Sequence, residues 1–192
     1  MPKNSLPAQI VELCRKKSAK ANVYCIHAIG GTVYPFYPFI HVLDDDFNLF
    51  AIPFDSNYAV DSIDDLAHFY AKKILEHSMG EPVVLVGYSL GGMLAHSMAR
   101  FFLDSGLVQQ DKIQVVMFDS WTIGTNQLNL DSIKSYLEKQ FSSFPDSQDL
   151  LDSALKLSKF LTKHEFRFHP KINISLFKAS KLTDSALKHA IL

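Results

Sequence analysis

Short, continuous apolar runs alternate along this chain with longer segments whose apolar residues recur every three to four positions. "NVYCIHA" (22–28) reads as a buried strand that runs into "IGG", and "FNLFAIPF" (47–54) as a second strand. "DSIDDLAHFYAKKILEH" (61–77) carries Ile63, Leu66, Ala67, Tyr70, Ala71, Ile74 and Leu75 at helical spacing. Ser62 and Asp65 stand at its start with capping-box spacing, Asp replacing the more usual Glu. "PVVLVG" (82–87) predicts a third strand. "GGMLAHSMARFFLDSG" (91–106) predicts a second helix, with Met93, Leu94, Ser97, Met98, Phe101 and Phe102 on one face and Gly106 as its C-cap. "KIQVVMFD" (112–119) and "KINISLFKAS" (171–180) complete the strands, and two amphipathic helices fit near 130–141 and 147–162. Strands that are apolar throughout, alternating with helices, predict an α/β fold with a mostly parallel sheet and helices on both faces. The insertion at about 125–168 then lies above the carboxyl edge of the sheet, where ligands bind in such folds.

The 192 residues suffice for one domain, 1–192, with its own core. A hydrophobic share of 47%, a charged share of 20% and a net charge of −1 give no basis for nucleic-acid binding. No apolar run is long enough for a membrane span, and the N-terminus carries no apolar signal-peptide core, so a cytoplasmic location is expected. Cys14 and Cys25 form no CxxC pair, so no metal site is expected. Cys25, inside a strand, reads as a buried free thiol.

The chemistry centres on Gly87-Tyr88-Ser89-Leu90-Gly91, a G-x-S-x-G between a strand and a helix. Such a turn is too tight for side chains at 87 and 91, and it lifts Ser89 above the sheet as a nucleophile. The backbone amide of Leu90, at the helix N-terminus, can donate to an oxyanion. Asp119 ends the fourth strand on the same sheet edge and is the candidate acid; the plainer reading is a strand-end Asp capping a turn with Ser120. The loop "HAIGGTVYPF" (27–36) is placed to supply a second oxyanion amide, from Ile29 or Gly30. His27, on that side, reads as structural.

Together these residues resemble the thioesterase domains that end nonribosomal peptide synthetases, polyketide synthases and animal fatty acid synthases. "IVELCRKKSAKANVYCIHAIGGTVYPFYPF" is similar to the family's entry into His-Pro-x-Gly-Gly, with Ala28 in place of the proline. "VDSIDDLAHFYAKKI", "VLVGYSLGGMLAHSMA", "VVMFDSW" and "INISLFKAS" resemble, in turn, its helix before the elbow, its G-Y-S-x-G-G elbow, its strand bearing the catalytic Asp and its next strand. The resemblance implies an α/β-hydrolase fold with a helical lid. Catalytic residues Ser89 and Asp119, oxyanion amides of Leu90 and Ile29, and substrate contacts at Tyr88 and Gly30 are implied with it. So is a thioester substrate carried on the phosphopantetheine of an acyl or peptidyl carrier protein, with no cofactor of the enzyme's own.

The family's catalytic His follows one further strand in a G-x-H pattern, and this chain has no such stretch before Leu192. His164, His169 and His189 read as surface positions rather than the base. The expectation is therefore either a shortened thioesterase, lacking its final strand and helix, or a natural short form without normal turnover. The edge of the strand at 171–178 is expected to be covered by the C-terminal segment or a second copy of the chain. A general carboxylesterase and a non-catalytic module that binds a carrier protein or an acyl chain stay open as alternatives.

Overall fold

A computed structural model describes residues 9–120, 130–144 and 146–179. Its strands are β1 (Val11–Cys14), β2 (Ala21–Ile26), β3 (Phe47–Ile52), β4 (Val83–Tyr88), β5 (Ile113–Phe118) and β6 (Ile174–Phe177). Its α-helices are α1 (Phe39–Val42), α2 (Ile63–Ser78), α3 (Leu90–Asp104), α4 (Leu130–Phe141) and α5 (Ser147–Leu161). The strands form one sheet in the order β1-β3-β2-β4-β5-β6. Every pair is parallel except β1 with β3.

This order positions the site. The chain steps from β2 to β3 on one side, then returns to β4 on the other. The carboxyl ends of β2 and β4 therefore flank the point where the direction of winding reverses, the crevice in which open α/β sheets bind ligands.

The main core lies between the sheet and the pair α2 and α3. Tyr24, Ile26, Phe50, Ile52, Leu85 and Val115 point into it and meet Leu66, Tyr70, Ile74, Leu94, Met98 and Phe102. Alternate residues of the same strands face the other way. There Val23, Cys25, Leu49, Ala51 and Val86 are covered by Val33, Phe36, Phe39, Ile40 and Leu43 from the segment after β2. That segment is short, so among the described residues the second face is open over β4, β5 and β6, as a groove of about 460 Å³ lined by residues such as Val84, Val116, Phe118 and Phe177. Cys25 is fully buried and free, as its strand position predicts, and burial pushes its thiol pKa up.

The helix ends follow their local chemistry. The Ser62 hydroxyl accepts a hydrogen bond from the Asp65 amide at 3.0 Å and caps α2. Gly106, at φ 67°, closes α3. Its amide donates to the Leu103 carbonyl and that of Leu107 to the Phe102 carbonyl, the Schellman pattern.

One strand and one α-helix are additional to those the sequence pattern predicts. β1 is four residues long with an exposed Glu12, and α1 is a single turn among prolines. The last strand is shorter than 171–180. Its outer edge pairs with no strand among the described residues, and Leu176 and Phe177 are exposed. The cover expected there from 180–192 falls outside the described residues. No described helix is long and apolar enough to cross a membrane.

Candidate active site at the β4–α3 elbow

Ser89 stands between β4 and α3 with φ 55° and ψ −120°, a conformation that non-glycine residues rarely hold and that costs about 1–3 kcal/mol. The surrounding backbone imposes it. A β-carbon on Gly87 would overlap the backbone of Gly91 and Gly92. One on Gly91 would overlap the carbonyl oxygens of Ile26 and His27, and one on Gly92 would overlap the Ser120 hydroxyl. The elbow is therefore closed on three sides by glycine contacts, and Ser89 takes up the turn. Its amide donates to the Phe118 carbonyl at 2.9 Å, and its carbonyl accepts from the Gly92 amide at 3.1 Å. The hydroxyl caps no helix amide, and the side chain is half-buried. Leu90 buries its side chain as the first residue of α3, where backbone N–H groups have no partner within the helix. Tyr88 next to it is 43% exposed, so its ring stands at the sheet edge rather than in the core.

Asp119 lies beside Ser89 by strand register. Tyr88 pairs with Phe118 across β4 and β5, so the next residue of each strand comes off the same edge of the sheet. Both leave with positive φ, 44° at Asp119. The Asp119 amide donates to the Phe177 carbonyl at 2.8 Å, and its Oδ1 accepts from the Ala179 amide. The carboxylate is thus held by the backbone just after β6 rather than by Ser120, which the plainer sequence reading had capping the turn. Ser120 is buried instead in the notch at Gly92, where its hydroxyl donates to the Phe118 carbonyl at 3.2 Å. Sequence reasoning missed both contacts. The second glycine of "SLGG" was the available signal for the Ser120 notch.

The loop after β2 meets the elbow directly, because Gly91 lies against the carbonyls of Ile26 and His27. The loop turns tightly at 28–31, where the Gly31 amide donates to the Ala28 carbonyl at 3.0 Å. Gly31, at φ 75°, then accepts from the Phe54 amide at 2.9 Å. Ile29 is partly buried and packs against the main core. His27 is fully buried. Its Nδ1 donates to the Ala28 carbonyl at 2.7 Å, so its Nε2 is the acceptor for the Tyr70 hydroxyl at 2.9 Å. Burial lowers its pKa to about 4, against the opposing pull of the Ala28 bond, and the ring is neutral and structural, as its position predicts.

The family model described as Thioesterase domain matches residues 21–166. This chain belongs to the thioesterase domain family. It is similar over 96 residues, at 26% identity, to the malpinin synthetase of Mortierella alpina; the match covers 48% of this chain and 1% of that protein. Among solved structures it resembles the NocB thioesterase domain in covalent complex with a fluorophosphonate nocardicin G analogue. That similarity has TM-score 0.73 and 15% identity and covers 89% of this chain and 76% of that one. The four-domain nonribosomal peptide synthetase AB3403 gives TM-score 0.72 at 18% identity, over 97% of this chain and 18% of that one. The surfactin thioesterase domain SrfTE gives 0.64 at 18% identity, over 93% and 76%. At these identities the structures establish the fold, the α/β-hydrolase architecture that the family resemblance implies.

The thioesterase domain carries α4 and α5 between β5 and β6. α5 buries Ala154, Leu157, Phe160 and Leu161, and Lys156 donates to the carbonyls of Ser56 at 2.7 Å and Tyr58 at 2.9 Å. α4 lies outside it and buries Leu137 alone. Two helices thus stand between β5 and β6, where the sequence places a helical insertion; 125–129 fall outside the described residues.

Among the described residues no histidine of the thioesterase domain hydrogen-bonds to Ser89 or Asp119. The surface reading of His164 is corrected: it is 5% exposed, folded under the exit of α5. Burial lowers its pKa, Arg100 and Arg167 nearby act in the same sense, and Asp64 opposes them. His169 faces Asp104 at 3.5 Å, at the end of α3 remote from the elbow. His189 lies outside the described residues. Sequence reasoning also passed over His96, which is buried in α3 with its ring 4.5 Å from that of Phe166. The described residues contain no group of three or more His, Cys, Asp or Glu side chains able to hold a metal ion.

Proposed function

We propose that this chain is a serine thioesterase that takes acyl or peptidyl groups from the phosphopantetheine arm of a carrier protein through an acyl-serine at Ser89. The carrying observation is the strained φ of Ser89 at the winding reversal of the sheet, enforced by Gly87, Gly91 and Gly92, in a chain of the thioesterase family.

In this reading the Ser89 oxygen bonds to the thioester carbonyl carbon, and the carbonyl becomes an oxyanion. The amides of Leu90 and Ile29 donate to it, assisted at Leu90 by the dipole of α3. Collapse re-forms the carbonyl, breaks the carbon–sulfur bond and releases the pantetheine thiol. Water or an internal nucleophile of the acyl group then frees the product. Asp119 is the acid that orients the base receiving the Ser89 proton. Tyr88 and Gly30 line the approach to the reacting carbonyl, and α4 and α5 cover the acyl chain. A thioester has a better leaving group and less resonance stabilisation than an ester, so the thioester is the favoured substrate.

Matched substrates test this. The same acyl group presented as a pantetheine thioester and as an oxyester is expected to give a kcat/KM at least about ten-fold higher for the thioester, a difference of about 1.4 kcal/mol in barrier. Equal or reversed values contradict the reading in favour of a general carboxylesterase. Tight binding of an acyl carrier protein with no turnover of either substrate contradicts it in favour of a binding module.

A further inference from the structure

Resting on the reading of the 27–31 loop as an oxyanion donor, we propose that Phe141 of the lid is a positioning residue for that loop. Two lid side chains rest on consecutive glycines. A methyl built on Gly30 would lie 3.3 Å from Cζ and 3.6 Å from Cε1 of Phe141, so the ring at the end of α4 is seated on the glycine backbone. A methyl on Gly31 would lie 3.6 Å from Cβ of Ser153 on α5 and 3.2 Å from Cβ of Phe54.

These contacts differ in what holds them. Gly31 is tied twice by hydrogen bonds, to Ala28 and to Phe54, and the helix above it, α5, is rooted in the main core. Among the described residues Gly30 takes part in no backbone hydrogen bond of the loop, and the helix above it buries Leu137 alone. The peptide between Ile29 and Gly30 is thus the part of the loop that no described backbone bond fixes, and the Phe141 ring packs against Gly30. With α4 in place, the ring fixes the plane of the Ile29–Gly30 backbone beside the elbow. With α4 displaced, that constraint goes. Lid position and the readiness of the oxyanion donor are coupled through one aromatic contact.

The test uses a short-chain alkyl fluorophosphonate, too small to reach the acyl space under the lid. The Ser89 oxygen bonds to phosphorus, the phosphorus–fluorine bond breaks, and fluoride leaves with the serine proton. Phe141→Ala is expected to lower the maximal rate of this step about ten-fold or more, with the half-saturating probe concentration changed less than two-fold, because a misoriented donor acts on the reacting state and not on binding. Phe141→Leu is expected to recover most of the rate. Gly30→Ala, which displaces the ring from the other side, is expected to lower the rate and to be non-additive with Phe141→Ala.

Amide hydrogen exchange of 29–31 is read on the same variants, with faster exchange expected in Phe141→Ala and no change over 22–26. Wild-type labelling with an unaltered rate in Phe141→Ala overturns the proposal. Should the wild-type chain fail to label at all, the serine-thioesterase reading falls by itself. Exchange then decides the proposal alone, and unchanged exchange at 29–31 overturns it.

Discussion

Gly91 has no room for a side chain, because a β-carbon there would enter the carbonyl oxygens of Ile26 and His27. Both obstacles are backbone of a central strand and cannot swing aside. Gly91→Ala is therefore expected to cost more than about 3 kcal/mol, at or beyond the upper range for overpacking, read as a fall in the urea midpoint. A loss under about 1 kcal/mol would mean that α3 does not press on β2 as described. At this scale the tight turn at Ser89 was legible in the sequence, since the glycines two residues either side of Ser89 report a turn that excludes side chains. The anchor of Asp119 was not, because its partner is the amide of Ala179, sixty residues away. The seat of Phe141 on Gly30 was equally hidden: a helix residue with an apolar side chain carries no mark of which loop it covers.

Elements were legible where burial on two faces or a single stripe left a strong pattern. β2, β3, β4 and β5 are central strands and read as apolar runs, while α2 and α3 carry continuous core-facing stripes. β1 escaped because an antiparallel edge strand of four residues needs little apolar surface. α1 escaped because Pro35 and Pro38 break any helical period before it begins. The two helices between β5 and β6 were legible as helices, but their unequal anchoring was not. α5 belongs energetically to the main core, whereas α4 is held through α5, Leu137 and Phe141. An element with so few buried contacts sits at the low end of local stability, where a cover that must admit a substrate is expected to be.

For the whole molecule, the buried histidines set a pH limit. His27 and His96 are held down to about 4 chiefly by burial, and His164 is lowered for the same cause. For His96, the cation Arg100 and the rings of His169 and His164 add to the effect. Its Nε2, like that of His164, has no hydrogen-bond partner among the described residues that would stabilise the charged form. An unfolded imidazole takes up its proton near 6.5. Between about 6.5 and 4 the unfolded chain therefore binds protons that the folded chain refuses. Stability falls as pH falls through that window, by up to about 1.4 kcal/mol per pH unit for each histidine, and levels off below it. The urea midpoint is expected to drop from pH 7 to pH 5 and to be flat above pH 7, with a shallower slope in His96→Phe. A midpoint constant from pH 7 to pH 5 would contradict the burial of these rings.

The central claim, that the elbow presents Ser89 as the acyl acceptor, meets its most direct test in covalent labelling of the native, folded chain. Peptide mass spectrometry after exposure to a fluorophosphonate is expected to find the adduct on Ser89, with none on the Ser89→Ala variant. A folded chain that gains no adduct, or gains it at another residue with Ser89 untouched, would contradict the account.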